Sequence, residues 1–594
     1  MQRITIEHGL YFLAFLIALG VRLFQLGLAP LSEFEAEWAL QALQVSRGEE
    51  VILVSGPGYV SLTGLSFYLF SSTNFLARFW PALAGGLLVW VPFCFRRKMG
   101  QKVAIVLAFG LAIDPGLVAL SRLAGSPMLA MAFGLLALGF YHARLPVLSG
   151  IFAGLAVMGG PNVLLGTFGL GLAWVIAKLW AGRRELKSDD GLVGIENLKQ
   201  MWKPLLVSAG ITIFLVGTLF LRYPQGLGAL VGTIPFTLHN LFQSSGIPSL
   251  RVILAPVLYS PLAVFFAIFT MVRLWREDNR YPRWCFVWLL SALAVALVFP
   301  GRQVSDVVWA LIPLWILAAI EIARHFEIKD WEKLPASGQA FLLLLLLGLG
   351  WFNLSGLSIY GGDLQTYRLR LAVIGGTIVL GAVTTSLVAM GWSSVVAGRG
   401  LAWGVGAALG LYTLANMWGV SQLRANGEHE LWNPPPATRQ ADLLAKTLED
   451  ISSWHVGHRK KLDVLITAPD KSIQWILRDW PRAVFLDSVP PGKLPSAIIS
   501  PLEQAEPKLG VGYRGHEFSW AIYPAWEKGL PENWTRWLVF RDSPQAAEHI
   551  ILWVRTDAFP SGSLEFIRDD VPFSEFDPPI DIYEDIVPGM EVIE

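Results

Sequence analysis

Three carboxylates stand close together in the segment Pro30-Leu31-Ser32-Glu33-Phe34-Glu35-Ala36-Glu37-Trp38. On a helix, Glu33 and Glu37 are four residues apart and share a face, while Glu35 points elsewhere. A carboxylate at a membrane edge can take a proton as a general base or hold a divalent metal ion. A solvated acidic loop is the plain alternative. Arginines form the second set. Arg78 stands where a polar segment enters an apolar run, and Arg122 lies in the short turn 121–126. Arg222, Arg251, Arg302 and Arg368 sit at the ends of other runs. A guanidinium fork matches phosphate oxygens; the alternative is a long side chain snorkelling to headgroups. Asp114 lies inside an apolar run and precedes Pro115. Carboxylates at membrane depth are functional candidates by default, and a helix-breaking polar contact suits the same residue. Asp306, near Arg302 at the start of a run, suits a structural ion pair. His455, His458 and His516 have no metal-ligand spacing, and the chain has no phosphate-binding Gly-rich loop, nucleophile elbow or CxxC pair.

Composition defines the elements that must position these groups. The 594 residues are 54% hydrophobic and only 15% charged, with zero net charge; soluble chains carry about 25% charged residues. The deficit is confined to residues 1–420, a transmembrane domain, whereas 421–594 reads as a soluble domain. Nothing in the charge balance suggests nucleic acid. Cys94 and Cys285 lie inside apolar runs, which argues against a disulfide framework. A span takes about 20 apolar residues. Such runs fall near 9–26, 79–95, 103–120, 127–141, 145–159, 162–180, 204–221, 252–272, 283–299, 306–323, 338–354, 369–391 and 400–419, about thirteen in all. The first reads as a retained span, since no small-residue cleavage site follows it. Residues 58–72 are apolar but short and broken by Ser and Thr, which suits a re-entrant or interfacial segment.

Basic clusters set the orientation. Arg96, Arg97, Lys98 and Lys102 form one; Lys178, Arg183, Arg184 and Lys187 a second; Arg273 and Arg276 a third; Arg324, Lys329 and Lys333 a fourth. All fall on the side of the N-terminus, which is therefore expected in the cytoplasm, with the C-terminal domain outside the plasma membrane. Segments 27–57, 121–126, 222–251, 300–305 and 355–368 then also lie outside.

The C-terminal region opens on Pro434–Pro436. Helices are expected at 437–455 and 471–480, and strands at 461–468, 483–489, 496–499, 534–540 and 549–554. That alternation suggests a small α/β domain. It is rich in Trp (Trp475, Trp480, Trp520, Trp526, Trp534, Trp537, Trp553), through packing or through contact with carbohydrate or lipid headgroups.

The order of several stretches resembles a known family, the GT-C fold glycosyltransferases of the dolichyl-phosphate-mannose protein mannosyltransferase and bacterial aminoarabinose transferase type. They are Arg22 through Ala42, Ala77-Arg78-Phe79-Trp80-Pro81, Ala119-Leu120-Ser121-Arg122-Leu123-Ala124, Gly154-Leu155-Ala156 and Trp309-Ala310-Leu311-Ile312-Pro313. The resemblance covers roughly the first two thirds of the chain. It implies a GT-C-like polytopic α-helical membrane protein that transfers a sugar from a polyprenyl-phosphate donor to a protein or lipid acceptor on the outer face. The family's Asp-Glu pair would fall on Phe34 and Glu35, so the Asp is replaced. Either Glu33 or Glu35 has become the catalytic base, or the site is silent. The family's Asp after the third stretch and Lys after the fourth are replaced by Gly125-Ser126-Pro127 and Gly159-Gly160-Pro161. On the glycosyltransferase reading, Arg78 and Arg122 are the expected phosphate contacts, with Glu37, Asp114 and Arg302 in the substrate site. The lipid-linked sugar is then a substrate, and a divalent metal ion is a candidate cofactor. The alternatives are a catalytically silent relative that binds a lipid-linked glycan or a partner protein as an envelope scaffold, and a transporter or flippase. Against the last, the sequence shows neither an internal repeat nor paired broken helices.

Overall fold

Proline sets two sharp bends in the apolar helices. In the computed structural model, helix α1 (Ile6–Leu23) is followed by α2 (Glu33–Arg47), α3 (Pro57–Phe70), α4 (Asn74–Leu87) and α5 (Val91–Met99). Next come α6 (Gln101–Ile113) and α7 (Pro115–Ser121), which meet at 53°. Helices α8 (Met128–His142), α9 (Pro146–Met158), α10 (Asn162–Ala181), α11 (Ile195–Gly217) and α12 (Gln225–Asn240) precede a second break. There α13 (Ser249–Tyr259) and α14 (Pro261–Leu274) meet at 94°. Pro115 and Pro261 lack the N–H that would continue the preceding helix, and their rings clash with its last turn. Helices α15 (Arg280–Val298), α16 (Val308–His325), α17 (Asp330–Ile359), α18 (Leu364–Gly391) and α19 (Ser394–Trp418) complete the apolar series. The structure describes residues 6–559 except 50, 52, 54–55, 182–194, 220, 222–223, 275, 277–279, 327–329, 360–363, 424–429, 433–436, 491, 504–510 and 527–528. Arg183, Arg184, Lys187, Arg222, Lys329 and the Pro434–Pro436 run lie outside the described residues.

The chain is a polytopic α-helical membrane protein. Each of the thirteen apolar runs meets a helix, but they are not thirteen alike. Among the described residues, eight helices are long and apolar enough to cross a bilayer, or up to ten if each bent pair is one span, and α8, α9 and Met201–Gly217 are shorter. Small residues and prolines shorten these last helices below the ~20 residues a straight crossing takes. Residues 58–72 form the short helix α3. The Val304–His325 segment, which includes α16, has 89% of its apolar window buried, against α6, α14 and α15 among others, and α18 has only 6%. One is the central post of the bundle; the other presents its apolar surface outward, as a lipid-facing helix does. The sequence showed no pair of broken helices, and the structure corrects this: both breaks are paired in space, as described below.

Internal contacts divide the chain into two compact units interleaved in sequence. The larger comprises Met1–Ala441, Asp470–Ile476 and Ser519–Glu548. Beside the helices above it holds β1 (Ala437–Thr438), α21 (Lys471–Ile476) and α22 (Trp534–Phe540). Residues 534–540 were expected as a strand, on aromatic and β-branched content. They are helical because the Asn533 side chain caps the first turn by accepting from Arg536 N. The Trp475 indole donates to Asn74 at 2.8 Å, and Trp520 donates to Asp470 at 2.8 Å. With Trp537 fully buried, these tryptophans are packing residues.

The smaller unit comprises Asp442–Pro469, Leu477–Phe518 and His549–Glu594. Its sheet is centred on β2 (Val464–Ile466), parallel to β3 (Ala483–Phe485) and β4 (Ala497–Pro501). The strand β4 pairs antiparallel with β6 (Gln545–Arg555), which follows β5 (Tyr513–Pro524) in sequence. Helix α20 (Ala441–Val456) buries Leu444, Leu448 and Ile451, one helical face.

Candidate functional site

Ser32 starts α2 with a reciprocal cap: its hydroxyl accepts from Glu35 N, and the Glu35 carboxylate accepts from Ser32 N. The cap fixes which residues point inward. Glu35, Ala36, Ala39 and Ala42 are buried, while Glu33 and Glu37 are exposed. The alanines let neighbouring backbone come close.

Glu35 is 1% exposed and meets Arg78, also 1% exposed, in a two-pronged ion pair. Arg78 Nε donates to Oε1 and Nη2 to Oε2, each at 2.7 Å. Oε1 also accepts from Ala124 N at 3.0 Å, and Oε2 from Ser32 N at 3.1 Å and Ser32 Oγ at 3.2 Å. Burial pushes the Glu35 carboxyl upward, but the Arg78 charge and these donors outweigh it and hold its pKa below the ordinary value. A carboxylate saturated in this way has no lone pair to offer an incoming proton donor.

Arg78 is equally committed. Its remaining N–H groups donate to Leu26 O at 3.1 Å, Ala29 O at 2.8 Å and Pro30 O at 3.0 Å, so all five donors are engaged. Arg122 is 2% exposed and caps the end of α1, donating to the carbonyls of Val21, Arg22, Phe24 and Gln25. Those carbonyls have no intrahelical partner, and a cation there opposes the helix dipole. Both hold backbone in place: Arg78 has no donor left for a phosphate, whereas Arg122 keeps a buried Nε with no hydrogen-bond partner and caps α1 with its other nitrogens. Arg22, which the sequence reading did not single out, does the same for α6, donating to Leu111 O at 3.1 Å and Ala112 O at 2.9 Å.

Asp114 is wholly buried at the break between α6 and α7. It caps α7 by accepting from Leu117 N at 2.9 Å, and accepts from Trp315 Nε1 at 2.7 Å. Its third donor is Ser260 Oγ, at 2.6 Å, which is the break between α13 and α14. The two bends thus meet at one carboxylate. Asn416 donates to Leu258 O and Tyr259 O, carbonyls freed at the second bend. Glu430, 1% exposed, accepts from the Tyr259 hydroxyl and lies 3.4 Å from Arg541, whose Nη2 donates to Asn416 at 2.8 Å. This network, far apart in sequence, was not foreseen.

Asp306 does not pair with Arg302, as the sequence suggested. It accepts from Gln303 N at 2.8 Å and Asn162 at 3.3 Å, while Arg302 donates to Ile247 O and Leu297 O. Arg251 donates to Leu431 O and lies over the Trp526 ring, and Arg368 is exposed.

Glu33, like Glu37, is a carboxylate left with access. Partial desolvation, then the negative charges of Asp470, Glu548 and Glu37, push its pKa above the ordinary value, and Lys471 opposes them. No group of three or more His, Cys, Asp or Glu among the described residues is arranged to hold a metal ion.

The class defined by this fold is a polytopic helical membrane protein with two mutually braced broken spans and a capped carboxylate helix. No family model matches the sequence, and no curated protein matches it. Some solved structures bear a likeness to this chain. ArnT from Cupriavidus metallidurans bound to undecaprenyl phosphate is 17% identical with a TM-score of 0.47, over 79% of this chain and 85% of that one. Its apo state gives 16% and 0.46, over 80% and 85%. The Archaeoglobus fulgidus oligosaccharyltransferase, in complex with zinc and sulfate, gives 14% and 0.39, over 80% and 62%.

Proposed function

We propose that this chain is a membrane glycosyltransferase that moves a sugar from a polyprenyl-phosphate donor to a protein or lipid acceptor, with Glu33 as general base. The observation that supports this most is the division of labour on α2. Glu35 and Arg78 lock the helix in place, and Glu33 stands exposed on it with a raised pKa. A base is most effective with its pKa near the working pH. Glu33 takes the proton of the acceptor hydroxyl or amine, the freed lone pair attacks the anomeric carbon, and the bond from that carbon to the phosphate oxygen breaks. The polyprenyl phosphate leaves with the electron pair, and the sugar inverts. Arg78 and Arg122 position the loop and the end of α1 rather than touch phosphate. The reading puts the α2 end outside the plasma membrane, since the basic turn at Arg96–Lys102 lies at the other end of α1, where Arg96 pairs with Glu7.

The test is transfer of labelled sugar from polyprenyl phosphate in proteoliposomes. Glu33→Gln is expected to lower the rate by about 100-fold or more. Wild-type transfer by this variant overturns the base assignment.

A second reading is favoured by the saturation of Glu35 and Arg78: a silent relative that binds a lipid-linked glycan. Saturable binding of such a glycan by wild type, with no transfer from any polyprenyl-phosphate sugar, selects it.

A further inference from the structure

A small cavity of about 10 Å³ lies between α10, α15 and the start of α16. Small residues make it. Gly169 lets α10 approach α15, so that a Cβ there would stand 3.7 Å from Ala292 Cα, and Ala292 and Ala296 line the same space. Gly166 admits Trp309 in the same way: the indole Cε2 lies only 2.0 Å from where a Gly166 Cβ would be. Asp306 and Trp309 complete the lining and give it a polar side.

The polar groups at this place are incompletely paired. Trp309 is 4% exposed, and its Nε1 is buried with no hydrogen-bond partner. An indole N–H can only donate. Asn162, the first residue of α10, donates to Asp306 Oδ1 at 3.3 Å, while its own Oδ1 is buried without a donor. Asp306 Oδ2 accepts from Gln303 N at 2.8 Å, and each carboxylate oxygen can accept more than one bond. One donor and two acceptors are thus left together, inside a bundle whose lipid surroundings can satisfy none of them. Leaving such groups unpaired is costly.

We propose that the cavity binds one water molecule, which accepts from Trp309 Nε1 and donates to Asp306 and to Asn162 Oδ1. Its volume is about what a single water takes, and leaves no room for a larger group. The count of hydrogens selects the same ligand. An ammonium ion has no lone pair for the indole N–H, and an alcohol has one hydrogen for two acceptors. The water ties the start of α10 to the start of α16 through Trp309, a side chain with no direct hydrogen bond to either acceptor. The site does not rest on the glycosyltransferase reading.

The experiment uses the full chain in lipid nanodiscs, with its structure determined at a resolution that shows ordered water. One isolated density peak is expected within hydrogen-bond distance, about 2.7–3.2 Å, of Trp309 Nε1, an Asp306 oxygen and Asn162 Oδ1. A second readout is the indole N–H vibration of Trp309 by ultraviolet resonance Raman, isolated as the difference between wild type and Trp309→Phe, which keeps an aromatic ring and removes the donor. The band is expected at the position of a hydrogen-bonded indole, and the density peak should weaken or vanish in the variant. If Trp309→Phe fails to fold, the wild-type density carries the test. No peak in wild type, density continuous with a lipid chain, a band at the free-indole position, or an undiminished peak in Trp309→Phe overturns the proposal.

Discussion

Ser260 donates to Asp114 at 2.6 Å, and each residue marks the break of a different membrane helix. A broken helix exposes carbonyl and N–H groups that lipid cannot satisfy. Here the two breaks satisfy one another, with Trp315 as a third member and Arg22 and Asn416 holding the freed carbonyls. Polar groups at a pair of broken spans serve ion or substrate binding in many transporters. In this chain the groups named are already engaged with protein, which argues for bracing rather than transport. Asp114→Ala removes a helix cap and strands two buried donors, at a cost of about 3 kcal/mol or more. Thermal unfolding in detergent should show a large drop, and Ser260→Ala a smaller one.

The sequence carried the spans well and the links between them poorly. Long apolar runs announce helices because burial and bilayer thickness act locally. The helical period also separated Glu35 from Glu33 and Glu37, as the structure has it. Pro115 after Asp114 is a local signal for the first break. Nothing local says that Arg122 ends up capping α1 about a hundred residues upstream, or that Glu430 meets Tyr259. An arginine at a span end reads the same whether it faces phosphate or a helix terminus, so three-dimensional partners decide its role. The strand expected at 534–540 failed for the opposite reason: a local cap at Asn533 was present but outweighed by residue type.

Removing either partner of the Glu35–Arg78 pair leaves a buried charge without its counterpart. Arg78→Met and Glu35→Gln are each expected to cost about 3–5 kcal/mol, measured as lost thermal stability. The pair also makes the fold acid-sensitive in a defined direction. Glu35 has a folded-state pKa below its unfolded value, so its stabilisation is present above about pH 4.3 and is lost as pH falls through the lower folded value. Glu35→Gln should remove that part of the acid dependence.

Gly125 has φ +69°, and a Cβ there would overlap the Trp38 ring, whose helix carries Glu33 and Glu37. Gly125→Ala adds backbone strain to that overlap and is expected to cost about 1–3 kcal/mol. Because Trp38 must move, the substitution should change Trp fluorescence as well as thermal stability, whereas Gly171→Ala, with open space around its Cβ position, should change neither.

The pH profile of transfer gives the sharpest reading of Glu33. Its carboxyl must be ionised to accept a proton, so activity should fall on the acid side as pH drops through its raised pKa, above the ordinary glutamate value of about 4.3. Among the charges that raise it, Asp470 comes first after desolvation. Asp470→Asn removes that negative charge and makes ionisation easier, so the acid limb should move to lower pH. Lys471→Gln removes an opposing positive charge and should move it to higher pH. Opposite displacements by two adjacent substitutions, with the plateau rate held, are the signature of a titrating Glu33. A limb that stays fixed in both variants assigns the proton transfer to another group.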